Sequence, residues 1–448
     1  MAKSATIVKL HPKLRKFQES IEKRTKIRGV FVTPKFQQEY TPTGSTILNL
    51  LIGGSRLPDS SFVCPGWPRG TISEVFGRES SGKSTIAMTG MAHAIRHNGD
   101  DGCGLYVDLE CAVRDHYAMK LGVDFRPPET GGDGRAIRVQ PHTFEETEAL
   151  VMTAALNGVD FIVIDSVAGL VSSREVKRDT SDDEQKLGVA EIPRLMSGWM
   201  PKLQGVIART GTHCMFLNQT RDKIGASKMA KSEEALKTTT GGNALKFWAS
   251  IRMMLKPRMS AKAKLWNPLT RQKEDIQIST DVEVKMIKNK IDATQGHSGM
   301  VTIRYGVGID ELRTMLNVAE AYKVVKRSKN AKKQDIYTFA SGGGANIEVI
   351  GVERFRQELT KHKLIDELVQ RCTENILQGF KVLDDEELAK LAEDAVTKRE
   401  GDDEDYESDE DPDVMTADGV TLNEDGEIED GEGGGVATTP EITSDMID

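Results

Sequence analysis

The chain has 448 residues, with 60 Lys and Arg against 69 Asp and Glu and a formal net charge of −9; at about 150 residues per domain, two to four domains are expected. The charge is split: residues 401–448 hold 19 Asp and Glu and no Lys or Arg, so the first 400 residues carry +10, of which +7 lies in Met1–Tyr40. Such a separation points to nucleic acid or a membrane surface as partner, not to a small neutral ligand. With 38% hydrophobic residues the body can bury a core. No run approaches 18 apolar residues, which argues against a transmembrane helix, and the N-terminus lacks an apolar stretch long enough for a signal peptide. Five scattered cysteines without a CxxC pair argue against a disulfide framework or zinc site and for a reducing, cytoplasmic setting.

In chain order, Lys13–Arg24 places Leu14, Phe17 and Ile21 at helical spacing. It predicts a short amphipathic helix that must pack on its own domain or on a neighbouring subunit, because so short a helix is unstable alone. From Gly44 to about Gly308, β runs alternate with helix-length stretches: TISEVF (71–76), LYVDL (105–109), DFIVID (160–165), HCMFLN (213–218), IRMML (251–255) and VEVKMI (282–287). That alternation predicts an α/β fold around a twisted, mostly parallel sheet covered on both faces. Asp310–Glu400 reads as a smaller unit with two helical stretches, Val352–Gln378 and a second through Leu388, Leu391 and Val396, with SGGGA (341–345) as a turn. Beyond Gly401 neither periodicity nor apolar density remains, and disorder is expected.

The segment Gly77–Thr85, GRESSGKST, fits G-x-x-x-x-G-K-[ST], with a β run before it and an amphipathic helix after it. This context predicts a P-loop, in which Gly77, Glu79, Ser80, Ser81, Gly82, Lys83, Ser84 and Thr85 hold the phosphates of ATP. Backbone amides and the helix N-terminus cradle phosphate, Lys83 reaches the β and γ oxygens, and Ser84 ligates Mg2+. Asp165, closing a buried strand, is the expected second metal residue. Glu110, closing LYVDLE, is a candidate base for the attacking water.

The chain resembles the bacterial RecA recombinases at GRESSGKST and well beyond it. VDLE followed by Y-x-x-KLGVD (107–124), DSVAGL (165–170), RLMSGWMPKL (194–203), NQTRDKIG (218–225), TTTGGNALKFWAS (238–250) and VKMIKNKI (284–291) follow in the family's order, and the likeness spans about Thr43–Tyr305. The resemblance implies a RecA-like P-loop ATPase core with an N-terminal oligomerisation arm (1–43), a core with DNA-binding loops (44–308), a small α+β C-terminal domain (309–400) and a disordered acidic tail (401–448). It implies that Glu110 is the catalytic carboxylate, that Tyr117 stacks on adenine, and that Gln219 senses the γ-phosphate. Lys288 and Lys290 would act across a subunit interface, although residue type alone also fits a solvated strand end.

Two DNA-facing loops are implied. The first runs from about Ser172 to Val189 and on to Arg194 and Ser197; the second, from Arg221 to Asn243, would hold backbone through Arg221, Lys223, Lys228, Lys231 and the amides of Gly241, Gly242 and Asn243. Without the resemblance the second loop reads equally as a bare charge run. Arg114 stands where the family has an adenine-contacting Asp, and Pro201 where it has a DNA-facing Arg. Residues 57–70 and 256–275 read as insertions. Trp67, Trp199, Trp248 and Trp266 read as core or interface residues ahead of base-stackers.

The implied activity is DNA-dependent ATP hydrolysis by a homologous recombinase, a helical homo-oligomer on single-stranded DNA that pairs it with homologous double-stranded DNA. Single-strand-binding and mediator proteins are further possible partners, and no membrane is implied. The setting would be the cytoplasm of a bacterial cell, or of an infected host if the chain is phage-encoded. The alternatives are another RecA-fold motor, such as a helicase or RadA-like repair ATPase, and a nucleotide-gated DNA scaffold.

Overall fold

A computed structural model describes residues 38–57, 61–177, 191–222 and 237–379. The predicted N-terminal helix, the second C-terminal helix and the acidic segment lie outside the described residues. The chain enters through β1 (Tyr40–Thr41) and α1 (Thr46–Gly53), followed by β2 (Trp67–Pro68), β3 (Ile72–Gly77) and α2 (Lys83–His97). Next come β4 (Gly104–Asp108), α3 (Asp115–Leu121), β5 (Ala136–Val139), α4 (Phe144–Leu156) and β6 (Phe161–Asp165). A single turn, α5 (Ser173–Val176), precedes α6 (Glu191–Thr210), and then follow β7 (His213–Asp222), β8 (Lys237–Thr239) and α7 (Ala244–Trp248).

Most of these strands join β9 (Ile251–Asn267), β10 (Gln272–Asn289), β11 (Ser298–Arg304) and β12 (Gly308–Ile309) in one ten-stranded sheet. Its order is β12-β11-β10-β9-β3-β7-β6-β4-β5, with β8 paired to β7. From β9 to β5 the neighbours are parallel; the pairings of β9 to β10, β10 to β11, β11 to β12 and β7 to β8 are antiparallel. The expected mostly parallel α/β sheet is therefore present.

Strand alternation divides the core between the two faces. Tyr106, Phe161, Val163, Met215 and Leu217 pack with Ile86, Met91 and Ile95 of α2. Leu105, Val107, Ile162, Ile164, Cys214 and Phe216 pack on the other face with Phe144 and Val151 of α4 and with Met196, Trp199 and Leu203 of α6. Every residue of β3, β4 and β6 is buried, which is why DFIVID reads as a continuous apolar run. Trp199 meets Phe144 and Phe216 edge-on, with ring centroids 5.4 and 5.7 Å away. It and Trp67 are core residues, as expected.

Beyond the sheet, α8 (Glu311–Ala321) leads to a three-stranded antiparallel sheet of β13 (Lys326–Lys329), β14 (Asp335–Ala340) and β15 (Asn346–Ile350). The SGGGA segment turns between the last two strands. Two helices close the described chain, α9 (Val352–Lys361) and α10 (Ile365–Gly379). The single helical stretch expected over Val352–Gln378 is thus broken at His362–Leu364, where Lys363 has φ 54°. Asp310 caps α8 by accepting from the Arg313 amide at 3.0 Å and also accepts from Arg356 at 2.8 Å, while Glu311 accepts from the Thr46 amide at 2.6 Å. This small unit is therefore bonded to α1 of the main sheet.

The stretch 256–275, read as an insertion, is regular structure. It extends β9 and β10 into a long hairpin, with register irregularities near Ser279, Val282 and Lys288. Deeper in the sheet, Glu74 of β3 is fully buried and takes two cross-strand partners, Arg252 Nε at 2.5 Å and Asn218 Nδ2 at 2.9 Å. Removing one partner of a buried pair strands the other charge. Arg252→Ala should therefore cost about 3–5 kcal/mol, read as a lower thermal midpoint, whereas Arg258→Ala on the exposed hairpin should shift it little.

Candidate functional site

The predicted P-loop lies between β3 and α2. Gly82 has φ +91°, a conformation costly for a side chain, and a Cβ there would sit 2.3 Å from Ile303 Cδ1. Ser80 also turns through positive φ. The loop thereby points α2, a 15-residue helix with its positive dipole end, into a cavity of about 280 Å³. Glu79, Ser80, Ser81, Gly82, Lys83, Ser84 and Thr85 line it together with Glu110, Tyr117, Asp165 and Gln219. Gly77 is the buried last residue of β3, ahead of the loop. Thr280, Val282, Ile303 and Tyr305 form the cavity's remaining wall; nothing in the sequence marks them, because only the fold of β10 and β11 brings them there.

Within the cavity the side chains are already ordered. Lys83 Nζ donates to the carbonyl oxygens of Arg78 at 2.9 Å and Gly77 at 3.4 Å. Burial lowers its pKa, opposed by the nearby carboxylates of Asp165, Glu110 and Glu79. Asp165 Oδ2 accepts from Ser84 Oγ at 2.7 Å and from Tyr106 OH at 2.6 Å, and burial pushes its pKa up. Sequence reasoning misses Tyr106, which there is simply an inward residue of an apolar strand. Glu110 Oε1 accepts from Ser166 Oγ at 2.5 Å and from Gln219 Nε2 at 3.1 Å. Tyr117 OH lies 2.9 Å from Thr85 Oγ1.

These residues suit a nucleoside triphosphate with Mg2+. Ser81 Oγ is buried without a partner among the described residues, residues 79–85 of the loop line the cavity, and Lys83 supplies the cation. Ser84 and Asp165 form a hydroxyl–carboxylate pair of oxygen donors, the small protein share usual for Mg2+ held jointly with phosphates.

The other expected site residues divide. Lys288 and Lys290 do not line the cavity. Lys288 Nζ donates to the carbonyls of Lys246 at 2.7 Å and Phe247 at 2.9 Å, and Lys290 Nζ reaches Phe247 O at 3.4 Å. They sit at the negative end of α7, with the Phe247 ring 71% exposed beside them. Desolvation, with Lys290 and Arg252 nearby, pulls the Lys288 pKa down to about 8.

Arg194 and Ser197 are exposed on α6, and Arg221 is exposed on β7. Lys223, Lys228 and Lys231 lie outside the described residues, as do 178–190 of the first loop. Gly241 and Gly242 take positive φ against Val167 and Pro193, and Asn243 is exposed at the start of α7. Asn218 holds this return segment: its Nδ2 donates to Thr240 O at 2.9 Å, and its Oδ1 accepts from the Thr240 hydroxyl and the Gln219 amide. Arg114 is exposed at the start of α3 and Pro201 is exposed inside α6.

With this geometry in place, residues 36–310 match the family model for the RecA N-terminal domain. The chain belongs to the RecA family. It is 36% identical to Protein RecA of Thermus aquaticus over 296 residues, covering 66% of this chain and 75% of that protein. It is 37% identical to Protein RecA of Chlorobaculum tepidum (61% and 71% covered) and 34% identical to that of Bacteroides thetaiotaomicron (70% and 86% covered). Membership of the RecA family supports recombination and repair, with binding of DNA and ATP, at the level of the family. No helix among the described residues is long and apolar enough to cross a membrane.

Two outcomes follow for the site. Lys83→Ala should weaken binding of a fluorescent ATP analogue about 10- to 100-fold, the loss of a charged hydrogen bond, with the melting temperature nearly unchanged. Because its pKa lies near 8, Lys288 should be acylated well ahead of ordinary exposed lysines at pH 8, a lead that persists at lower pH and closes as pH rises past about 10, where ordinary lysines also lose their proton. Peptide mass spectrometry reads the ratio, and equal labelling of all lysines contradicts the lowered pKa.

Proposed function

We propose that the chain is an ATP-dependent homologous recombinase that assembles as a helical filament on single-stranded DNA, pairs that strand with homologous duplex and exchanges strands. The observation that carries this reading is the contact between Gln219 and Glu110, 3.1 Å long at the P-loop cavity. It joins the candidate catalytic carboxylate to the strand that leads into the lysine-bearing segment 223–236. In this reading residues 1–43 form an oligomerisation arm, 44–308 the ATPase core, 309–400 a small C-terminal domain and 401–448 an acidic tail that competes with DNA for basic surface.

When bound, ATP with Mg2+ supplies the phosphoanhydride and the metal charge that offsets its oxygens. Lys83 and the loop amides hold the phosphates, Ser84 and Asp165 hold the metal, and Tyr117 meets the base. Glu110 orients water and takes its proton. Gln219 reports the γ-phosphate to the DNA-facing segment, so hydrolysis changes the affinity for the strand. Lys288 and Lys290 serve a neighbouring subunit's site, in keeping with their position outside their own cavity. Arg194, Ser197, Arg221, Lys223, Lys228 and Lys231 and the amides of Gly241–Asn243 grip backbone, so binding is salt-steep and nearly sequence-neutral.

Protein with ATP, Mg2+ and single-stranded DNA should form filaments by electron microscopy and exchange strands with a homologous duplex. Closed rings without exchange overturn the proposal. The trans role of Lys288 has its own readout. Glu110→Gln and Lys288→Ala chains, each inactive alone, should on equal mixing recover about a quarter of wild-type ATP turnover, because a head-to-tail interface takes one residue from each subunit. No recovery in mixed filaments places Lys288 outside the neighbour's site.

A further inference from the structure

The hairpin of β9 and β10 outgrows the sheet that carries it. On one edge β3 pairs only with Ser73–Gly77 against Ile251–Leu255, and on the other β11 pairs only with Ser279–Lys285. Beyond those limits Lys262–Asn267 and Gln272–Gln277 pair with each other alone, six residues a strand or about 20 Å of two-stranded ribbon. Its register sets Trp266 opposite Lys273, Lys264 opposite Asp275 and Lys262 opposite Gln277. Residues at alternate positions share a face, so Lys262, Lys264, Lys273 and Trp266 stand together, with Asp275 as that face's only carboxylate.

The charge is unbalanced and available. Residues 256–279 contain six Lys and Arg against two acidic residues. One of the two, Glu274, points to the other face and is taken up by the Asn267 amide at 2.8 Å and by the Thr270 hydroxyl. Lys262, Lys264, Lys273 and Arg271 have no ion pair among the described residues, and Trp266 is 60% exposed. The opposite face carries Leu265, Ala263 and Ile276. At the base, Gln277 Nε2 donates to Tyr305 OH at 2.7 Å, and Tyr305 and Thr280 are themselves cavity-wall residues. The ribbon is thus held at its root by the wall of the nucleotide cavity.

We propose that this ribbon is a duplex-DNA arm, separate from the loops that follow β6 and β7. Lys262, Lys264 and Lys273 contact phosphates, and Trp266 lies against sugar and base edges. A double helix presents one phosphate charge per about 1.7 Å of axis, and its major groove admits a two-stranded ribbon. A cationic ribbon with one aromatic side chain on the same face matches that partner in charge and width. An apolar protein partner would leave three lysines to be desolvated unpaired.

The inference rests on the chain being a DNA-binding protein, and the experiment separates the two. Full-length protein is titrated without nucleotide against a 30-base-pair duplex and against one of its strands, by fluorescence anisotropy over a range of salt. Relative to wild type, K262Q/K264Q/K273Q should bind duplex about tenfold more weakly, with a log–log salt slope shallower by about 0.9 for each phosphate no longer neutralised. K262R/K264R/K273R should keep wild-type duplex binding, and single-strand-stimulated ATP hydrolysis should stay at the wild-type level in both. Wild-type duplex binding with an unchanged slope in the glutamine variant overturns the arm. A loss confined to the single strand also overturns it, and wild-type protein that binds neither DNA removes the underlying reading instead.

Discussion

The buried carboxylate of Asp165 is the point on which the site depends. It stands at the end of β6 and collects two hydroxyls, Ser84 from the first turn of α2 and Tyr106 from β4. A carboxylate with so little water around it is stable only when its lone pairs are taken, and two short hydrogen bonds do that. The consequence is geometric: the start of α2, the candidate phosphate-binding helix, is bonded directly to the sheet, not carried on a free loop. Glu74 repeats the device two strands over, where Arg252 and Asn218 tie β9 and β7 to β3. Asp165 thus sets a buried, satisfied polar node at the carboxyl end of a parallel strand, where such sheets place their ligands, while Glu74 braces the strands deeper in the sheet.

How much of this is legible in the sequence varies with burial. β6 can be read because burial on both faces demands an unbroken apolar run, and DFIVID is one. The P-loop can be read because its spacing is dictated by the phosphate it curls around. The outer hairpin cannot, since a ribbon exposed on both faces has no buried side to impose alternating polarity; KPRMSAKAKLWN therefore resembles an insertion more than a strand. The break between α9 and α10 is hidden for a related reason: apolar residues keep helical spacing across it, and the turn is made by Lys363, a residue with no reputation for positive φ.

Residues that act through distant partners are legible only by resemblance. The sequence around Lys288 and Lys290 describes a basic strand end, and the structure gives both side chains backbone carbonyls of α7 as partners. Neither observation alone assigns a role in trans. Tyr106, Asn218 and Arg252 escape notice for the opposite reason. They are polar groups inside strands, and their importance comes from which strand the topology sets beside them; β3 is flanked by β7 and β9, both far along the chain.

The same network limits how a nucleotide could speak to DNA. Glu110 is bonded to Gln219, whose neighbour Asn218 holds both Glu74 and the return segment at Thr240. The two ends of the segment 223–236 are therefore fixed by one asparagine, and one of them touches the candidate catalytic carboxylate through the adjoining glutamine. A displacement of the Glu110 carboxylate has one side chain to cross before it reaches the strand that leads into the segment 223–236. Packed polar nodes of this kind switch between discrete hydrogen-bonding arrangements more readily than they deform. On the proposed function, a change of charge at the γ-phosphate position would then be enough to alter the grip on a strand, provided the two arrangements differ in DNA affinity. That affinity need not come from bulk charge, because the first 400 residues carry only +10 and most of it lies in the first forty. It would come from where a few lysines, arginines and loop amides are held.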